Sequence, residues 1–359
     1  GDGWFTESPM AAVARSAQQL NPDSALLEGR WVKLICGASN QDLPAIADLC
    51  AVFGAAGVHC IDVAADPAVV SAAREGFSWL ASHGYAQPWL MVSLSDGADA
   101  HFRKAWFDPM RCPPLCHRPC ERICPADAIH PHGVGIAQER CYGCGRCLPA
   151  CPHGLIEERD HRVEMSAVAS LLNDLRPDAV EIHTAPGRAA AFDALVADLA
   201  SSGVPLKRLA VSCGLEGHAQ CAADLSRELW HRHQSLRRHR FRPLWQLDGR
   251  PMSGDVGSGT ARVAVELWRS MRPLAPPGPL QLAGGTNANS LKQLTVDEWP
   301  SGIAFGGKAR RLIQPILQES ERNGQRLRDW AEGWERALSL ASDLVLPWTS
   351  RRPSTDASC

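Results

Sequence analysis

Lysine is almost missing from this chain. Lys33, Lys104, Lys207, Lys292 and Lys308 are the whole set, so nearly all of the 37 basic residues are arginine. Tyrosine is scarcer still, with 2 among 359 residues. Charge of one sign does not dominate either, since the net charge is −2. No global field therefore draws the protein to nucleic acid or an anionic membrane. No apolar run approaches the roughly 18 residues needed to span a bilayer. Residues 1–28 lack the basic-then-apolar order of a signal peptide. These absences predict a cytoplasmic protein with no membrane span and no nucleic-acid partner. The arginine-rich run RELWHRHQSLRRHRFR (227–242) reads accordingly as a solvated helix face and loop.

Cysteine is what the chain has in excess. Eight of its 14 cysteines fall in CPPLCHRPCERICPADAIHPHGVGIAQERCYGCGRCLPACPHGLIEE, residues 112–158. In a chain without secretory features, thiols this dense hold metal rather than pair as disulfides.

Outside residues 99–160 the sequence has one rhythm. Short apolar runs bounded by Gly, Pro or Asp alternate with Ala- and Leu-rich segments at helical spacing. The strands are expected at 30–36, 58–65, 88–94, 178–184, 206–213, 243–249, 279–285 and 302–307. They are apolar throughout, as strands buried on both faces are. Helices are expected between them, including one over SLKQLTVDEW (290–299) and one over KARRLIQPILQES (308–320). Eight strands alternating with eight helices predict an α/β fold, a (β/α)₈ TIM-barrel-like domain. An open doubly wound sheet is the alternative. The cysteine-rich piece interrupts after the third strand. The expected organisation is an N-terminal extension (1–28), a first part of the barrel (29–98), a ferredoxin-like insert (99–160), a second part of the barrel (161–322), and a C-terminal helix and tail (323–359). LPWTSRRPSTDASC is expected to be a loose end.

The second half of the insert reads Cys141-x₂-Cys144-x₂-Cys147-x₃-Cys151-Pro152. This is the spacing of bacterial ferredoxins, in which three thiolates grip one cluster and the fourth reaches a second. Gly143 and Gly145 let the backbone wrap the inorganic core closely. A zinc site more commonly pairs two CxxC units. The first half reads Cys112-x₃-Cys116-x₃-Cys120-x₃-Cys124-Pro125 and ends in the same way. Such an internal repeat predicts two clusters with crossed ligation. One takes Cys112, Cys116, Cys120 and Cys151; the other takes Cys124, Cys141, Cys144 and Cys147. Both are expected to be [4Fe–4S]. The wider gaps of the first run leave a [3Fe–4S] form open for its cluster.

Two further features bear on chemistry. Gly284 and Gly285 end the seventh strand, and Gly306 and Gly307 end the eighth, with Lys308 beside them. Barrels often bind phosphate there, so a flavin is a candidate guest, but tight βα turns are the simpler account of the glycines. Lys33, Cys36, Asp62, Asp66, His183, Cys213 and Asp248 lie at strand ends and would converge at the barrel mouth.

The stretches RWVKLICGASNQDLPAIADL, GVHCIDVAADPAVVSAAREG, PWLMVSLSDG, HFRKAWFDP, the eight-cysteine insert, LDGRPMSGDVGSGT, GGTNANS and GIAFGGKARRLI together resemble the cyanobacterial light-dependent period family. The resemblance covers roughly residues 30–315. It implies an iron–sulfur protein that relays cellular redox and light state to the circadian clock. It also implies a cyanobacterial cytoplasm, clock-input partners, and a redox carrier such as quinone or ferredoxin. A ferredoxin-coupled oxidoreductase with a flavin or other phosphate-bearing ligand in the barrel is the alternative.

Overall fold

The computed structural model describes residues 21–37, 43–97, 103–138, 140–160, 165–215, 219–249 and 260–352. Residues 1–20 of the expected N-terminal extension, 250–259 of LDGRPMSGDVGSGT and 353–359 of the expected tail lie outside the described residues.

Eight parallel strands close into a barrel: β1 (Trp31–Gly37), β2 (Cys60–Ala64), β3 (Trp89–Ser95), β8 (Ala179–His183), β9 (Arg208–Gly214), β10 (Pro243–Asp248), β11 (Leu280–Ala283) and β12 (Gly302–Phe305). Closure is made by β1 against β12, where Trp31 pairs with Gly302 and Leu34 with Phe305. This pairing rules out the open doubly wound sheet. Alternation along each strand then sorts its side chains. Val32 and Leu34 face the outer helices, whereas Lys33 faces the interior.

The outer layer comprises α2 (Leu43–Ala56), α3 (Pro67–Ser82), α6 (Met165–Leu175), α7 (Ala189–Ser201), α8 (Ala222–Arg238), α9 (Thr260–Met271) and α10 (Gly307–Arg322). The helix expected over 290–299 does not form; a 3₁₀ turn at Leu291–Gln293 stands in its place. The reason is local competition for backbone groups. Ser290 Oγ accepts from Asn287 N (3.0 Å) and Asn287 Oδ1 accepts from Asn289 N (2.8 Å), which holds a turn. Glu298 then accepts from Thr295 N (2.9 Å) and pairs with Arg269 (2.7 Å).

Two flanking helices finish the barrel. Before it, α1 (Pro22–Glu28) is capped by Asn21, whose side chain accepts from Ser24 N, and stops at Gly29 in the left-handed region (φ 70°). Its Ala25 and Leu26 bury against Trp31, Trp89, Met91 and Leu244, and so plug the N-terminal end of the barrel. After it, α11 (Ala331–Thr349) corrects the expectation for LPWTSRR. The helix runs through Pro347 because Trp348 is buried and Arg351 stacks on both Trp348 (4.9 Å) and Trp299 (4.1 Å). Tertiary packing outweighs the proline here.

Between β3 and β8 the chain leaves the C-terminal rim and builds the cysteine-rich insert. Its outer ribbon is β4 (Arg103–Trp106) paired antiparallel with β7 (Glu157–Asp160). Inside lie α4 (Pro119–Ile123), a hairpin of β5 (Ile129–His130) and β6 (Gly135–Ile136), and α5 (Cys147–Ala150). A small core of Ala105, Phe107, Ala128, Ile129, Ile136 and Ile156 holds the pieces together.

Candidate metal centre and barrel interior

The internal repeat is visible in the backbone. Cys124 ends α4 at φ −71°, ψ 114°, and Cys151 ends α5 at φ −72°, ψ 114°. Each cap N–H bonds back to the cysteine four residues earlier, Cys120 and Cys147. Asp127 (φ 49°) and Gly154 (φ 62°) take the same left-handed step three residues after Cys124 and Cys151. The first run lacks the glycines of the second, and Arg118 makes up for this by adopting φ 51° where Gly145 has φ 76°. That step lets Arg118 N donate to Cys116 Sγ (3.4 Å). The Ala128 N–H likewise donates to Cys124 Sγ (3.4 Å).

The eight sulfurs gather in two places. Cys124, Cys141, Cys144 and Cys147 line one small cavity, with Ile129, Ile136 and Tyr142. Cys112, Cys116, Cys120 and Cys151 line another, with Phe107 and Leu155. Each cavity therefore draws one cysteine from the other run. All eight are free thiols.

Donor set and spacing both fit a polynuclear iron–sulfide core. Burial, reinforced by Cys141, Cys144 and Cys124, pushes the Cys147 thiol up to about 12. Burial raises Cys120 as well, with Cys151 and Cys112 adding to it. Four thiolates cannot share such a space without a compensating cationic core, which a metal cluster supplies. A mononuclear zinc ion, at a Zn–S distance of about 2.3 Å, would draw its sulfurs to within about 4 Å of each other. Among the described residues no three cysteine sulfurs lie within 4.8 Å of one another. The sulfurs are spread too widely for one zinc ion in each set.

The second cavity wall is also the join to the barrel. Tyr142 is buried in the main barrel core, and Cys144 packs against it. Asp66 caps α3, accepting from Ala68 N (2.9 Å), and takes Lys104 of β4 as an ion partner.

The barrel interior is polar at its middle and top. Lys33 Nζ donates to Glu181 Oε1 and to Gln246 Oε1, both at 2.6 Å, and all three residues are fully buried. Gln281 Nε2 donates to Gln246 Oε1 (2.7 Å), and Trp31 Nε1 donates to Gln281 Oε1 (2.6 Å). Higher up, Ser93 Oγ donates to Asp62 Oδ1 (2.5 Å), Ser212 Oγ donates to Asp248 Oδ2, and His183 Nε2 lies 3.1 Å from Glu181 Oε2. Burial opposes the Glu181 carboxylate, but Lys33 and His183 outweigh it and hold Glu181 at about 2. Burial and the Glu181 charge push Asp62 up to about 7, and burial does the same to Asp248.

Of the residues expected at the mouth, Lys33, Asp62, His183 and Asp248 are brought together there. Cys36 and Cys213 face the helix layer instead, where Cys36 meets Cys50, and Asp66 serves as a helix cap. Glu181, Gln246 and Gln281 were missed. Their signal is polar residues two apart in apolar strands, as in Val180-Glu181-Ile182-His183, which places both polar side chains on the inner face. The glycines expected to bind phosphate have local duties. Gly284 (φ 70°) and Gly285 (φ 80°) make a left-handed turn, and a Cβ on Gly285 would meet Thr260 Cβ at 2.7 Å. Gly306 and Gly307 open α10, with Lys308 in its first turn.

A (β/α)₈ barrel with a ferredoxin-type cysteine insert on its C-terminal rim defines an iron–sulfur protein on a barrel scaffold. Residues 112–162 match the LdpA Fe-S cluster-binding domain, and residues 171–347 match the Light dependent period A C-terminal domain. Light dependent period A of Synechococcus elongatus is 44% identical over 335 residues, which is 91% of this chain and 93% of that one. The chain belongs to the Light dependent period A family. Shorter matches include an uncharacterized ferredoxin of Methanocaldococcus jannaschii, 33% identical over 85 residues (23% of this chain, 56% of that one). Another is the formate dehydrogenase iron-sulfur subunit of Wolinella succinogenes, 34% identical over 67 residues (18% and 32%). No helix among the described residues is long and apolar enough to cross a membrane.

Proposed function

We propose that this protein carries two [4Fe–4S] clusters and uses their redox state to help set circadian period in response to light. Cys112, Cys116, Cys120 and Cys151 would hold the first cluster, and Cys124, Cys141, Cys144 and Cys147 the second. The carrying observation is that these two sets of four cysteines line separate cavities, each with one cysteine from the other run. The role in period setting rests on membership of the Light dependent period A family. The clusters supply one-electron redox chemistry; the chain holds their thiolates and donates N–H groups to the sulfurs. Because Tyr142 and Cys144 pack on the barrel, a change at the second cluster reaches the barrel wall directly. The proposed partners are clock-input proteins and a redox carrier, quinone or ferredoxin, in the cytoplasm.

The test is anaerobic purification with iron, sulfide, visible absorbance and EPR measured before and after dithionite. About eight irons per chain support two cubanes. Colourless protein holding zinc would overturn the reading. A flavin band would favour the oxidoreductase alternative. In cells, a Cys147→Ser strain is expected to lose the dependence of period on light intensity; an unchanged dependence would sink the clock role while leaving the clusters intact.

A further inference from the structure

We infer that the barrel mouth is a second metal site, for one divalent ion held by Asp62, Glu181 and His183. These residues are separate from the cysteine insert, and their ligand atoms lie mutually within 4.8 Å. A single coordination sphere with metal–ligand bonds of about 2.0–2.2 Å sets its donor atoms about 3–4.4 Å apart. The three side chains therefore stand close enough to share one ion after small side-chain adjustments.

The two oxygens of Glu181 have different duties. Oε1 receives the Lys33 ammonium at 2.6 Å. Oε2 is wholly buried and pairs with His183 Nε2 at 3.1 Å. An ion bound between these two atoms and Asp62 would take the place of the imidazole proton in that pair.

The surroundings are those of a built site. Ser93 Oγ holds Asp62 Oδ1 at 2.5 Å and leaves Oδ2 for the ion. Lys33, itself held by Gln246, orients Glu181 from below, as outer-sphere partners of metal ligands do. Lys33 offsets the Glu181 carboxylate, and Asp62 and Glu181 lie in a space almost closed to water. Two carboxylate oxygens and one imidazole nitrogen suit Mn²⁺, Fe²⁺ or Zn²⁺, not Cu⁺.

The experiment uses the full protein with its clusters left oxidised, a state in which [4Fe–4S] cores give no EPR signal. Mn²⁺ is titrated in, and free and bound ion are read by EPR, with Zn²⁺ as competitor. One Mn²⁺ per chain is expected, displaced by Zn²⁺ and showing a ¹⁴N coupling from the His183 imidazole in pulsed EPR. Asp62→Asn and His183→Gln should each weaken binding at least tenfold with iron content unchanged. Ser93→Ala, which touches no ligand atom, should weaken it about three- to tenfold. Absence of bound Mn²⁺, bound Mn²⁺ without nitrogen coupling, or equal affinity in Asp62→Asn would each overturn the site.

Discussion

Lys104 Nζ lies 3.2 Å from Asp66 Oδ2 and donates to the Gln138 carbonyl at 2.6 Å, so one ammonium ties the insert to the first turn of α3. Both side chains of the ion pair are largely shielded from water. Lys104→Met should therefore cost about 1–3 kcal/mol, the range for hydrogen bonds to a charged group. The loss should fall on the insert first. Hydrogen exchange over residues 103–160 is expected to quicken while the barrel strands stay protected; uniform exchange across the chain would show that the tie is not specific.

Crossed ligation makes a prediction that sequence order does not. Cys151→Ser should perturb the same EPR signal as Cys112→Ser and leave the signal lost in Cys144→Ser intact. Each variant should retain about half the iron of the parent. If Cys151→Ser instead removed the Cys144 signal, the two cavities would not correspond to the two clusters.

Two neighbouring glycines should behave differently. Gly143 sits at φ 81°, and a Cβ there would meet the Arg103 carbonyl at 2.3 Å. Gly143→Ala must push β4 away and should lower iron content along with stability. Gly145 sits at φ 76°, with nothing nearer to its Cβ than Glu158 Oε1 at 3.8 Å. Gly145→Ala should cost only the left-handed strain, about 1–2 kcal/mol, with full iron retained. Iron assays and chemical denaturation on both variants decide it.

Asp248 gives the barrel a pH signature. Burial pushes its carboxyl up to about 7, with Ser212 and Gln246 opposing. Unfolded, it titrates near the ordinary aspartate value of 3.8. Between these values the folded chain holds the extra proton, so this group's contribution to stability falls as pH rises from about 4 to about 7. Asp248→Asn removes that contribution. The stability difference between parent and variant should thus shrink with rising pH, by on the order of 1.4 kcal/mol per pH unit at most. A flat difference between pH 4.5 and 7, by urea denaturation, would contradict the buried protonated acid.

Much of this was legible in the residues. All eight barrel strands fall where apolar runs predict them, because parallel strands covered on both faces must be apolar. The cysteine spacing pointed to a ferredoxin-type insert for an equally direct reason: short gaps force thiols together. What escaped were features decided by packing between distant elements. The run through Leu291 scores as helix, yet Glu298 is claimed by Arg269 and the segment turns instead. Pro347 reads as a stop until Trp348 is seen buried. Glu181 and Gln246 hide within apolar strands, and only barrel closure brings them to Lys33.

The plug formed by Ala25 and Leu26 has a consequence for traffic. With the floor of the barrel sealed by α1, a solute bound for the Lys33–Glu181 pair must arrive from the rim. The chain leaves that rim at Ser95 to build the cysteine insert. Whatever enters the barrel therefore passes beneath the cysteine insert, and shortening the chain to begin at Arg30 should give water a back door to the buried ammonium.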